Sequence, residues 1–156
     1  MTPDFVIRPA DSGDPAAVAA LLRPFAEKKI VLERNEEDIR FYLANFLIAD
    51  ACGEVVGCVA VRDFGNSLFE VRSLAVREDF QKHGVGAALI NSAVERLQRR
   101  CPEGFRLFTL TLVPGFFERA GFVKVQKELF PEKIWSDCSK CPKLDVCDEV
   151  ALLLEK

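Results

Sequence analysis

The sequence predicts a mixed α/β (α+β) domain, and three observations predict it. The apolar residues change period several times, from alternation to helical spacing and back, as a sheet covered by helices requires. Of the 156 residues, 49% are hydrophobic and 29% charged, enough apolar material for a core without disulfide staples. No internal repeat, low-complexity tract or Gly/Ser linker interrupts the pattern, which predicts one continuous domain over residues 1–156.

The elements follow in order. Phe5-Val6-Ile7-Arg8-Pro9 reads as a first strand ended by proline. Asp14 before Pro15 predicts a helix start with Asp14 as N-cap, and Val18, Leu21, Leu22 and Phe25 give the helix its apolar face. Asn35-Glu36-Glu37-Asp38 opens a second helix in capping-box style, with Ile39, Tyr42 and Leu43 facing inward. Runs at 46–51 and 55–61, joined at Cys52-Gly53, predict an antiparallel hairpin. A turn over 63–67 containing Gly65-Asn66 leads to a strand at 68–76, then to a polar, glycine-bearing loop at 80–84. Val85, Leu89, Ile90, Ala93, Val94 and Leu97 predict a long amphipathic helix over 85–99. A β-rich strand at 105–113, a short helix from Pro114 to Ala120-Gly121 and a strand at 122–127 follow. A cysteine-bearing loop at 131–148 then leads to a last strand at 149–154.

Composition excludes several kinds of chemistry. The chain has one histidine, His83, so no metal site can draw on two imidazoles and any His-based triad would depend on that residue. A net charge of −3 supplies no global basic field for nucleic acid or anionic lipid. No apolar run approaches the ~20 residues that span a bilayer. The N-terminus lacks the basic-then-apolar pattern of a signal peptide, so a cytoplasmic setting is expected. In that reducing compartment the six cysteines are expected to be free thiols.

The segment that carries chemistry is Gln81-Lys82-His83-Gly84-Val85-Gly86-Ala87, between a strand and the long helix. Glycines there let backbone approach a ligand, and a helix N-terminus points free N–H groups and a positive dipole end at an anion. A bare Gly-x-Gly also fits a ligand-free strand-to-helix turn. Leu89 stands where a dinucleotide fingerprint would want its third glycine, and the Gly-Lys-Ser/Thr of a P-loop is missing.

In this context the segment resembles the acetyl-CoA loop of the GNAT acetyltransferases, Gln/Arg-x-x-Gly-x-Gly/Ala, filled here by Gln81, Gly84 and Gly86. Phe117-Glu118-Arg119-Ala120-Gly121-Phe122 is similar to the family's second signature. The resemblance implies a mixed, mostly antiparallel twisted sheet of about seven strands with about four flanking helices and splayed central strands. It also implies acetyl-CoA as co-substrate. Its pantetheine arm would pair with the backbone of Leu74, Ala75 and Val76, and its pyrophosphate would rest on Gln81, Lys82, His83, Gly84, Val85, Gly86 and Ala87. Phe117 falls within the implied cofactor site. Arg119 is either a contact to the CoA phosphates or a solvated surface cation.

Strand alternation puts Glu70, Arg72, Leu74 and Val76 on one face of the 68–76 strand. Glu70 stands where GNAT histone acetyltransferases carry a general base, and an amine that must lose a proton before attacking a thioester needs one. Its alternative is a simple ion pair with Arg72. Many GNAT enzymes carry at the position of Phe117 a tyrosine that protonates the departing thiolate, and phenylalanine cannot do so.

The segments Ile30 to Asn35, Glu70 to Val76, Phe108 to Thr111 and Phe116 to Phe122, with the tail from Trp135, resemble bacterial N-acetylglutamate synthases. That implies acetyl transfer to the α-amine of L-glutamate, the first step of arginine biosynthesis. No amino-acid-kinase domain is expected before the acetyltransferase. A small dicarboxylate calls for fixed cations, and Arg34 and Arg72 are the candidates, with Lys28 and Lys29 weaker and hydroxyls from Thr109 and Thr111. Glutamine, another amino acid or a protein amine are alternative acceptors, and a non-catalytic acetyl-CoA sensor or partner-binding domain is the alternative class. A homodimer is a candidate assembly. Cys138, Cys141 and Cys147 begin with a pair at metal-ligand spacing, so zinc is weighed against reduced thiols; a fourth ligand would have to come from Asp137, Asp148 or Cys101.

Overall fold

A computed structural model describes residues 4–28, 31, 34–126 and 150–156. Among these residues the chain forms β1 (Val6–Pro9), α1 (Pro15–Glu27), α2 (Glu36–Phe41), β2 (Phe46–Ala51), β3 (Glu54–Asp63) and β4 (Leu68–Val76). It continues through α3 (Val85–Arg100), β5 (Arg106–Thr111), α4 (Pro114–Arg119), β6 (Val123–Val125) and β7 (Val150–Glu155). Single 3-10 turns at Leu43–Asn45 and Glu78–Phe80 were not anticipated from the sequence. The seven strands hydrogen-bond in the order β1-β2-β3-β4-β5-β7-β6, the mixed and mostly antiparallel sheet expected. The 131–148 loop lies outside the described residues.

The chain packs as two compact units, one of residues 1–62 and 71–102, the other of residues 63–70 and 103–156. Strand β4 contributes its first three residues to the second unit and the rest to the first.

In the first unit, Val18 and Leu22 of α1, Ile39 of α2, Phe46 and Ile48 of β2, Cys58 of β3 and Ala75 of β4 form one buried cluster. The helical spacing read from α1 therefore becomes a packed face. Asn35 caps α2 as predicted, its Oδ1 accepting from the Asp38 N–H at 2.8 Å. Gly57 has a steric role: a Cβ there would meet Val85 Cγ1 at 3.1 Å and the Ala75 carbonyl oxygen at 3.3 Å. Its bare backbone lets the first turn of α3 lie directly against β3.

Two local expectations are corrected. Asp14 makes no side-chain cap to α1. Its carboxylate instead accepts from Arg8 at 2.7 and 2.9 Å and from the Asp11 N–H at 2.7 Å, a charged partner outcompeting the helix amides. Tyr42 does not face inward and is 47% exposed. α2 ends at Phe41, so the helical spacing that would have turned Tyr42 to the core no longer applies.

In the second unit, β4 and β5 pair in parallel over Leu68–Arg106, Phe69–Leu107 and Glu70–Phe108. β5 continues antiparallel against β7, and β7 against β6. Leu68, Phe108, Ala151 and Leu153 make the buried cluster there.

Candidate active site

The residues expected to carry chemistry fall into two groups, one in each unit. In the first unit, β4 runs into the loop that opens α3. Gly84 sits at φ +82°, a left-handed conformation that glycine adopts without a Cβ penalty. Its carbonyl accepts from the Ala88 N–H at 3.0 Å, which starts the helix. The N–H groups of Val85, Gly86 and Ala87 precede that first bond, so they have no partner within α3 and stand at the positive end of a 16-residue helix. Lys82 and His83 are exposed beside them. A helix start of this kind offers its first backbone N–H groups to an anion.

Gln81 makes a side-chain bond back to the strand. Its Nε2 donates to the Val76 carbonyl oxygen at 2.9 Å, so it ties the loop to the end of β4. Arg77 fixes the near side of the same loop. Its N–H donates to the Val56 carbonyl at 2.7 Å, its guanidinium bonds Asp79 at 2.7 and 3.1 Å, and it stacks 5.0 Å from the Phe80 ring. Sequence reasoning assigned Arg77 no role.

The unexpected feature is Ser73, at φ +53° in the middle of β4. A non-glycine residue in the left-handed region costs ~1–3 kcal/mol and such residues cluster where function needs them. Leu74, Ala75 and Val76 follow at once. Cys58 of β3 donates from Sγ to the Ser73 carbonyl oxygen at 3.3 Å. The Cys58 side chain is fully buried at 0% exposure. Burial pushes its thiol up to about 12, while the Arg34 charge and the Ala75 N–H pull the other way, so it is a protonated donor at neutral pH.

Arg34 belongs to the same unit. Its guanidinium carbon lies 6.0 Å from the Tyr42 ring centroid and 5.9 Å from that of Phe46, within cation–π range of both. It also lines a cavity of about 520 Å³ with Arg23, Glu27 and Glu36. Arg72 is half-buried on β4. Lys28 is exposed, and Lys29 lies outside the described residues.

In the second unit Glu70 is 2% exposed, a carboxylate carried on the strand pair opposite Phe108. Thr109 and Thr111 of β5 are buried, and Thr111 Oγ1 accepts from the Val113 N–H at 3.0 Å, closing the strand end. Phe117 is 3% exposed, its ring edge-on to Phe116 at 5.0 Å and to Phe122 at 5.3 Å. It is a core residue of its unit. Arg119 is exposed on α4.

Among the described residues no group of His, Cys, Asp and Glu could hold a metal ion. Cys138, Cys141 and Cys147 lie outside them. No described helix is long and apolar enough to cross a membrane.

A helix start with free backbone N–H groups after a kinked strand suits the binding of an anionic ligand. Residues 42–124 match the acetyltransferase (GNAT) domain. The chain is 40% identical over 151 residues to an uncharacterized N-acetyltransferase of Chlorobaculum tepidum, covering 96% of each. It is 32% identical to an amino-acid acetyltransferase of Mycobacterium tuberculosis, over 78% of this chain and 70% of that one. Among solved structures, N-acetylglutamate synthase from Neisseria gonorrhoeae, complexed with coenzyme A and N-acetyl-glutamate, matches with a TM-score of 0.86 at 27% identity. That match covers 99% of this chain but 36% of the synthase. The chain belongs to the GNAT acetyltransferases and is an acetyl-CoA-dependent N-acetyltransferase.

Proposed function

We propose that this acetyltransferase moves acetyl from acetyl-CoA to the α-amine of L-glutamate, the reaction that opens arginine biosynthesis. The observation that carries the catalytic part is Glu70, a carboxylate 2% exposed on the strand that leads into the cofactor loop. The choice of acceptor is supported by the amino-acid acetyltransferase relatives and by the product-bound synthase similar to this chain.

In this reading the α3 N-terminus receives the CoA pyrophosphate through the backbone of Val85, Gly86 and Ala87, and the backbone of Leu74 and Ala75 pairs with the pantetheine arm. Glu70 takes a proton from the ammonium of the acceptor, directly or through one water, and the free amine attacks the thioester carbonyl carbon. The new C–N bond forms, the C–S bond breaks with its electron pair leaving on the CoA sulfur, and the nitrogen sheds its second proton to solvent. Phe117 has no proton to give. A thiol with an ordinary pKa of ~8.5 is a fair leaving group and can depart as thiolate. Arg34 and Arg72 are assigned to the acceptor's carboxylates, with hydroxyls from Thr109 and Thr111. Within the cofactor site, Arg119 is assigned to the CoA phosphates.

The test is CoA release from acetyl-CoA measured with each common amino acid in turn. L-Glutamate is expected to give the highest kcat/KM. A preference for glutamine or another amine would overturn the acceptor, and the same rate with no amino acid present would overturn amino-acid acetylation altogether.

A further inference from the structure

The kink at Ser73 has a sulfur behind it. Among the described residues every peptide bond is trans, so the carbonyl of Ser73 and the N–H of Leu74, which share one peptide plane, point in opposite directions. The Ser73 carbonyl points at the Cys58 thiol, 3.3 Å away and inside the core cluster of the first unit. The Leu74 N–H therefore points away from that core. The next peptide repeats the arrangement, because the Ala75 N–H faces the same sulfur as a donor. It follows that the Leu74 carbonyl also points outward. One thiol thus engages the two inward groups that flank Leu74, and that residue's own N–H and C=O point the other way. The β4–β5 ladder does not use them, since its last pair is Glu70–Phe108.

We propose that Cys58 is a positioning residue for the acetyl-CoA arm: its S–H bond to the Ser73 carbonyl holds the left-handed kink that aims the backbone of Leu74 at the acyl donor. The assignment of Leu74 to the donor rests on the function proposed above; the bond and the kink do not. A left-handed serine relaxes toward ordinary strand geometry unless something holds it. The thiol is placed to do so, being fully buried, protonated and within reach of both flanking peptides.

The experiment compares Cys58→Val, Cys58→Ser and the double variant Cys58→Val with Ser73→Gly. Valine keeps an apolar side chain of similar size but cannot donate, serine keeps a donor, and glycine adopts a positive φ without help. Acetyl-CoA Kd by calorimetry and kcat are both read, with melting temperature as the check on folding. Cys58→Val is expected to weaken acetyl-CoA binding about tenfold, the usual worth of one hydrogen bond. Cys58→Ser is expected to stay within about threefold, and Ser73→Gly to return most of the loss in the double variant. A purely structural role would lower melting temperature without that rescue. Wild-type affinity in Cys58→Val, or a double variant no better than it, overturns the proposal. If Cys58→Val fails to fold, Cys58→Ser decides the matter: a loss of affinity as large as tenfold with a donor still present overturns it, and retained affinity upholds it. Should the wild type bind acetyl-CoA but acetylate no amine, the catalytic reading fails while the Kd comparison still judges Cys58.

Discussion

The side-chain amide of Gln81 holds the carbonyl of Val76, five residues back along the chain, at 2.9 Å. The bond closes the loop proposed to take the cofactor onto the strand it leaves. Gln81→Ala is expected to weaken acetyl-CoA about three- to tenfold, with the KM for the acceptor unchanged. Calorimetry with CoA alone checks this without turnover.

Gly84 isolates the conformational requirement of the helix start. A Cβ there would meet nothing within 4 Å, so substitution is penalised through its φ of +82° and not through a clash. Gly84→Ala is expected to lose ~1–2 kcal/mol of stability, and Gly84→Asn less, since asparagine tolerates the left-handed region. Thermal unfolding of the two variants gives the order.

Removing the proposed base should act on the chemical step. Glu70→Gln keeps size and hydrogen-bonding capacity but cannot accept the proton, and kcat is expected to fall ~10²–10⁴-fold with little change in acetyl-CoA affinity. Full turnover in that variant would remove Glu70 from the mechanism.

Acid stability should report the Arg8–Asp14–Asp50 cluster. The Arg8 guanidinium, first through its hydrogen bond and despite burial, holds the Asp14 carboxyl below its ordinary 3.8, and it lowers Asp50 in the same way. Folding therefore favours the ionised carboxylates. Their contribution is complete above the ordinary value and is lost as pH falls through the depressed folded values. Asp14→Asn is expected to cost ~1–3 kcal/mol at neutral pH, and its deficit should shrink as the pH falls below the ordinary carboxylate value of 3.8. Urea unfolding from neutral to acid pH measures both.

Phe117→Tyr tests whether a hydroxyl at this position can serve as acid. The ring is packed against Phe116 and Phe122, so an added hydroxyl enters an apolar setting. The variant is expected to lose ~1 kcal/mol or more of stability without gaining more than about threefold in kcat. A tenfold gain would show that thiolate departure limits the enzyme.

Much of this architecture was legible in the chain. β4 was read at its observed bounds because Gly65-Asn66 marks the turn before it and a polar loop follows it. The start of α3 was readable because Gly84 precedes an uninterrupted helical period. Ser73 was not readable. A serine between Arg72 and Leu74 in a β-rich run gives no sign of a positive φ, which here coincides with a thiol from a different strand. Asp14 escaped for a similar reason: its carboxylate had two suitors, and only the fold brings Arg8 close enough to win. Tyr42 shows that a periodicity argument needs the helix to last as long as the pattern does, and α2 stops one residue earlier.

The bare backbone of Gly57 has a kinetic consequence. Because Val85 rests against β3 where no side chain intervenes, the first turn of α3 is located by shape before any ligand arrives. On the proposed reading, the helix start then needs no folding step to receive the donor. Association with acetyl-CoA should then follow a single phase whose rate rises linearly with concentration, with no plateau to mark a slow rearrangement of the loop. A bulkier residue at position 57 would push the helix start off its seat and introduce such a plateau.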